Sequence, residues 1–154
     1  MQNMSAREPP APWLKAARAY LTVIGFGNLL WEIAQFPLYT IWTEGSRSHF
    51  ALALVHGTGG DLFISAATLM TSLVAFGDKT WPAQAFWRVG IPIIAMGLGY
   101  TIYSEWINVE IRHTWAYSDL MPRLPLLGTG LSPLLQWIVV PTLALFAARR
   151  TAGR

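Results

Sequence analysis

The sequence contains no cysteine. This absence excludes disulfide bonds, thiolate metal sites, iron–sulfur clusters and cysteine nucleophiles. Charged residues make up only 12% of the 154 residues, about half the share typical of soluble domains, whereas hydrophobic residues make up 53%. Histidine is scarce as well, with three copies. The composition therefore favours a membrane protein, and it limits any metal or haem site to carboxylates and very few imidazoles.

The chain also lacks a basic patch, although its formal net charge is +3. Lysine and arginine lie near the ends of apolar stretches, as the positive-inside rule describes for membrane proteins. A nucleic-acid partner is therefore not expected, because nucleic-acid binding uses clustered basic residues on one face. The predicted partner is the lipid bilayer.

Four apolar stretches are each long enough to cross a bilayer core of about 30 Å, which requires about 20 helical residues. They run from 19 to 41, 50 to 76, 86 to 107 and 131 to 148, and turn-rich or polar segments separate them. The sequence predicts an all-α fold, a single domain over residues 1–154 formed by a four-helix multi-pass bundle. A cleaved signal peptide is the alternative for the first stretch, which is too long and too polar for one.

The distribution of lysine and arginine predicts the orientation of the bundle. Three of the 11 basic residues fall on the side of the first and third loops, namely Arg47, Arg112 and Arg123. The positive-inside rule therefore predicts that both termini lie in the cytoplasm. The predicted location of the protein is the inner membrane of the cell. The eight on the cytoplasmic side are Arg7, Lys15, Arg18, Lys79, Arg88, Arg149, Arg150 and Arg154.

Polar residues recur at spacings of three and four in three of the stretches, which places each set on one helical face. An ionised side chain at the bilayer centre costs about 2.5 to 3.5 kcal/mol, so these faces are predicted to face protein or water. Counted from the outer interface, Glu32 and Asp61 reach similar depths near the midplane. The three sets are Gly25, Asn28, Glu32, Gln35 and Tyr39; Thr58, Asp61, Ser65, Thr68 and Ser72; and Gly97, Thr101, Glu105, Asn108 and Arg112.

These faces predict a site for a small-molecule or lipid-like ligand in the outer half of the bundle. The candidate catalytic groups are Glu32, Asp61, His56 and Glu105, because a carboxyl group beside another carboxyl or an imidazole can exchange protons. Three glycines between His56 and Asp61 permit a kink that brings them together, or serve close helix packing instead. The predicted ligand-binding residues are Asn28, Gln35, Tyr39, Thr58 and Asn108.

A metal site is a further hypothesis, carried by the EIRH motif from Glu110 to His113. Its Glu-x-x-His spacing resembles the motif of ferritin-like di-metal bundles, which use two such motifs where this chain has one. The predicted ligands of a divalent metal are His56, Glu110 and His113, and the alternative is a solvated loop network. Haem is the weaker candidate, since His56 and His113 would need matched depths to serve as axial ligands.

The segment 108–130 is rich in Trp, Tyr and Pro, which predicts a lid over the site or an interfacial anchor. The predicted function is ligand or substrate binding, extending to acid/base or metal-dependent catalysis. A structural or assembly subunit of a membrane complex and a small proton-linked carrier are the alternatives. A second copy of the chain or a partner subunit is compatible with all of these functions.

Overall fold

The computed structural model describes residues 12–152. Within this range the chain forms helices and no β-strand, which confirms the predicted all-α class. The long helices are α1 (Pro12–Gln35), α3 (Arg47–Phe76), α4 (Phe86–Glu105) and α5 (Leu131–Ala152). A 3-10 turn (Phe36–Leu38) and the short helix α2 (Ile41–Glu44) follow α1, and a π-helical turn (Trp106–Ile111) extends α4.

The four long helices surround a common interior. Helix α1 packs against α3 and α5, and helix α4 packs against the same two helices. The connections 36–46 and 112–130 lie at one end of the bundle, because an isolated antiparallel bridge joins Tyr39 to Tyr117. We call this the upper end. The connection 77–85, between α3 and α4, therefore lies at the lower end.

The lower half of the interior is apolar. Small hydroxyl side chains of α3 face into it, since Ser65 and Ser72 are fully buried and Thr68 is nearly so. Such small residues allow helices to approach closely. The predicted inward orientation of this polar stripe is thus confirmed. The apolar core consists of Ala16, Tyr20, Ile24, Leu69, Trp81, Phe86, Val89, Ile93, Val140, Ala144, Leu145 and Ala148.

Large apolar side chains cover the outer faces of all four long helices. Phe26 is 67% exposed, Phe63 75%, Ile91 61% and Leu143 58%. Extended apolar surface of this kind is typical of proteins that contact lipid or another protein. Two helices, Arg47–Phe76 and Leu131–Thr151, are long and apolar enough to cross a membrane.

Two helix ends differ from the predicted spans for local reasons. The first apolar stretch continues to Ile41, but α1 ends at Gln35 because Pro37 lacks an N–H and disfavours helical geometry before it. Glu32 therefore lies about one turn before the end of its helix. Helix α3 begins at Arg47 instead of 50, since the Ser46 hydroxyl caps it by accepting from the His49 N–H at 3.2 Å.

Close packing at two aromatic residues completes the bundle. Trp81 is only 1% exposed and belongs to the apolar core at the lower end. Gly97 faces Trp137, and a Cβ at position 97 would lie 2.1 Å from Trp137 Cε3. Glycine at this position therefore allows α4 and α5 to approach each other.

Candidate functional site

A cavity of about 240 Å³ lies at the upper end of the bundle. All four long helices contribute to its lining, together with the two upper connections. Its polar lining combines carboxyl, imidazole, amide and hydroxyl groups with several aromatic rings. The residues that define its chemistry are Glu32, Gln35, Phe36, Tyr39, His56, Asp61, Tyr100, Thr101, Glu105, Trp115, Gln136 and Trp137.

Glu32 of α1 and Asp61 of α3 meet in this cavity. Their carboxyl groups lie within hydrogen-bonding reach of each other, and both side chains are partly exposed. Gly57 makes room for the pair, since a Cβ at this position would lie 3.3 Å from Glu32 Cδ. The two residues that the sequence placed at similar depth are thus direct neighbours in the fold.

Gln136 of α5 links the two carboxyl groups. Its Nε2 donates to Asp61 Oδ2 at 2.9 Å and lies 3.4 Å from Glu32 Oε1. The same amide nitrogen also donates to Asn28 Oδ1 at 3.2 Å. Gln136 is only 2% exposed and Asn28 4%, so this amide supplies hydrogen bonds to groups that water reaches poorly.

A directed hydrogen-bond chain orients the Gln136 amide. The indole N–H of Trp31 donates to Ser132 Oγ at 3.1 Å, and Ser132 donates to Gln35 Oε1 at 2.9 Å. Gln35 Nε2 then donates to Gln136 Oε1 at 3.2 Å. A carboxylate oxygen only accepts, so the bond to Asp61 requires the Gln136 nitrogen on that side, and the chain from Trp31 agrees with this direction. The NH₂ group of Gln136 therefore points at the carboxyl groups.

Sequence reasoning did not select Gln136 as a site residue. It is the one amide in the apolar stretch 131–148, where Ser132 and Thr142 are the other polar side chains. The fourth stretch carries no polar stripe, so periodicity does not mark any of its residues as part of a site. A lone strongly polar residue in an apolar span was the available signal.

Hydrogen bonds to Glu105 of α4 attach the connection 112–130 to the upper end of the bundle. Its Oε2 accepts a short hydrogen bond from the Tyr117 hydroxyl and a 3.4 Å bond from Trp115 Nε1. The Gly130 N–H in turn donates to the Tyr117 oxygen at 2.9 Å. Burial raises the pKa of Tyr117, and the nearby Glu105 raises it further, so the phenol stays protonated and donates.

Backbone hydrogen bonds hold this connection against the segment after α1. The Thr40 N–H donates to the Ala116 carbonyl at 3.0 Å, and the Ser118 N–H donates to the Leu38 carbonyl at 2.9 Å. The connection thus lies against the upper end of the bundle. Its Trp115 side chain reaches the cavity lining.

The other predicted ligand-binding residues have different surroundings. Tyr39 and Gln35 line the cavity, as does the exposed His56. Thr58 and Asn108 do not belong to the lining: the Thr58 hydroxyl is buried without a hydrogen-bond partner, and Asn108 Nδ2 donates to the Ser104 carbonyl at 2.9 Å.

Thr101 belongs to the cavity although sequence reasoning gave it no ligand-binding role. It is 5% exposed, and its hydroxyl oxygen has no hydrogen-bond partner. Buried hydroxyl groups without partners are uncommon. Its place in the α4 polar stripe, one turn before Glu105, was the signal that could have selected it.

The structure does not bring His56, Glu110 and His113 together as metal ligands. Over residues 12–152, no group of three or more His, Asp or Glu side chains is arranged to bind one metal ion. Glu110 and His113 are both exposed, and helical geometry ends at Ile111. The Glu-x-x-His spacing places two side chains on one face only in a continuing α-helix, which this segment is not.

The role of Gln136 leads to a first prediction. Gln136→Met keeps the approximate side-chain volume but removes the donor to Asp61 and the acceptor for Gln35. We expect the free energy of unfolding to fall by about 2 kcal/mol, because buried polar groups lose partners. Leu135→Met, on the exposed face of the same turn, is the control and should cost less than about 0.5 kcal/mol. Thermal or denaturant unfolding of the purified proteins measures both, and equal stability of the two variants would contradict this role.

The Tyr117 hydroxyl leads to a second prediction. Tyr117→Phe keeps the ring but removes the donor to Glu105 and the acceptor for Gly130, so the connection 112–130 should open more often. Trypsin cleavage after the exposed Arg123 should accelerate by about tenfold, since cleavage follows the population of the open form. Tyr103→Phe, on the exposed face of α4, is the matched control and should leave the cleavage rate unchanged. Equal rates in the two variants would show that the hydroxyl does not hold the connection.

Comparison with protein-family models, with curated proteins and with solved structures finds no match for this chain.

Proposed function

We propose that the chain is an integral protein of the inner membrane with four spans, α1, α3, α4 and α5, and with both termini in the cytoplasm. The apolar outer faces of all four helices support this proposal. The lower end carries Lys79, Arg88, Arg149 and Arg150, in agreement with the positive-inside rule. Arg7 and Arg154, which also contribute to the predicted orientation, lie outside the described residues.

Single cysteines test this topology, because the chain has none of its own. Ser48→Cys, Gln84→Cys and Leu127→Cys all replace exposed side chains in or near connections. In intact cells, a membrane-impermeant maleimide should label positions 48 and 127 but reach position 84 only after the membrane is permeabilised. Labelling of position 84 in intact cells would overturn the orientation, and labelling of all three would overturn the spans.

Within this topology, the upper cavity is proposed to bind a small ligand or substrate from the outer side. The observation that carries this proposal is the convergence of three carboxyl groups, from Glu32, Asp61 and Glu105, on one cavity. Polar and titratable groups that converge in a concave site are typical of ligand binding. The volume of about 240 Å³ lies just below the usual range of about 300 to 1,000 Å³, which favours a small ligand.

The contact between Glu32 and Asp61 supports acid/base chemistry on that ligand. Two carboxyl groups in contact favour one shared proton over two negative charges. Such a pair contains one group that can donate a proton and one that can accept it. His56 adds an imidazole to the same cavity lining.

A purely structural role is the second candidate, and the Gln136 network supports it. Hydrogen bonds to Asn28, Glu32 and Asp61 join three helices, and such bonds contribute about 0.6 to 2 kcal/mol to packing in membranes. A proton-linked carrier has less support, because the lower interior offers small hydroxyl groups in place of a continuous polar path.

Access to the cavity distinguishes a binding site from packing. Thr101→Cys places a thiol in the lining, and we expect the neutral reagent hydroxyethyl methanethiosulfonate to modify it from the outer side. A Cβ at Gly60, which lines the cavity, would meet no atom within 4 Å, so Gly60→Leu should fill the cavity. The added side chain should slow modification by about tenfold or more, because a filled interior leaves no room for the reagent.

Gly59→Leu is the matched control. A Cβ at Gly59 also meets no atom within 4 Å, but this position is exposed and does not line the cavity. It should leave the modification rate of Thr101→Cys unchanged. Failure of the reagent to modify Thr101→Cys in the wild-type background, or equal slowing by both leucines, would favour the packing role.

A further inference from the structure

The cavity is acidic although the chain as a whole has a formal net charge of +3. Three carboxyl groups line it, and no lysine or arginine is found among its described lining residues. His56 is its one basic side chain within that lining. An anionic ligand would meet Glu32, Asp61 and Glu105 without a balancing cation, so the charge of the lining disfavours anions.

Aromatic rings share the cavity lining with the carboxyl groups. Phe36, Tyr39, Trp115 and Trp137 all line the same cavity. Aromatic faces attract organic cations, and cages of aromatic side chains recognise quaternary ammonium groups. A bare metal ion would need several converging oxygen or nitrogen ligands, which residues 12–152 do not assemble.

The Thr101 hydroxyl is independent evidence for a ligand. It is 5% exposed, lines the cavity and lacks a hydrogen-bond partner. The amide of Gln136 and the hydroxyl of Tyr117, in contrast, are already bonded to the carboxyl groups. The hydroxyl oxygen is buried beside the cavity, so a polar ligand atom that displaces its neighbours and reaches it breaks no bond of Thr101 within the protein.

We propose that the ligand is a small organic cation: an ammonium group, protonated or quaternary, on a compact apolar body with a hydrogen-bonding group. Its charge lies beside the contacting carboxyl groups of Asp61 and Glu32, its apolar body contacts the aromatic rings, and its polar group bonds to Thr101. This inference rests on the proposed binding function and names the chemical class of the ligand.

Three probes of one shape test the charge requirement. They are choline, its neutral isostere 3,3-dimethylbutan-1-ol and the anion 3,3-dimethylbutanoate. Titration of the purified protein in a neutral detergent, followed by calorimetry and by the fluorescence of Trp115 and Trp137, should show that choline binds at least about tenfold more tightly than its isostere. The anion should bind more weakly than either.

The carboxyl groups are tested by Glu32→Gln combined with Asp61→Asn. We expect this double variant to lose the preference for choline over its isostere, whereas Gly59→Leu should retain it. Circular dichroism and gel filtration establish whether the double variant folds. If it does not fold, two measurements test the role of charge instead: the ratio of choline affinity to isostere affinity in the wild type, and the choline affinity of Asp61→Asn. We expect Asp61→Asn to lose about fivefold or more in choline affinity, because it removes a single charge.

Each contrary result has a separate meaning. Equal binding of choline and its isostere overturns the cationic ligand but leaves the cavity as a binding site. Unchanged charge preference in the double variant overturns the role of Glu32 and Asp61. Absence of binding by all three probes overturns the cationic ligand, while the modification of Thr101→Cys reports independently whether the cavity is open to a ligand.

Discussion

The hydrogen bonds of the Gln136 amide are the interaction on which the upper half of the bundle depends. Its bond to Asp61 connects α5 to α3, two helices that lie across the interior rather than side by side. The same nitrogen donates to Asn28 and lies near Glu32, both on α1. Burying a polar group without a hydrogen-bond partner costs free energy. The oriented Gln136 amide reduces this cost by supplying hydrogen bonds to the polar groups of the interior.

The interior is divided between two kinds of packing. The lower half joins apolar side chains and small hydroxyl residues, and it encloses Trp81 at the end of the bundle. The upper half contains the carboxyl groups and the cavity, and the connection 112–130 lies against it through Tyr117 and Glu105. A rigid apolar base beneath a polar cavity is a suitable framework for holding Glu32 and Asp61 in contact.

The spacing of polar residues in the sequence predicts much of this arrangement. The polar stripes of the first three stretches face the interior, as the spacing of Ser65, Thr68 and Ser72 indicated, except that the third stripe ends before the exposed Arg112. Helix ends were harder to predict where a single residue determines them, as Pro37 does for α1 and Ser46 does for α3. The spacing from Glu110 to His113 presupposes a regular helix, but the chain leaves helical geometry at Ile111, so this motif does not continue one helical face.

The order of residues is sufficient to predict the helical class, the four long helices and the faces that carry Glu32, Asp61 and Glu105. Length, composition and the 3.6-residue period are properties of neighbouring residues, so they can be recognised without a fold. Which faces meet depends on the packing of the whole bundle. Gln136 and Asp61 are separated by 75 positions in the chain, and their contact depends on how helices rotate and approach, as at Gly97 and Trp137. That geometry arises from packing between distant segments, which local periodicity does not encode.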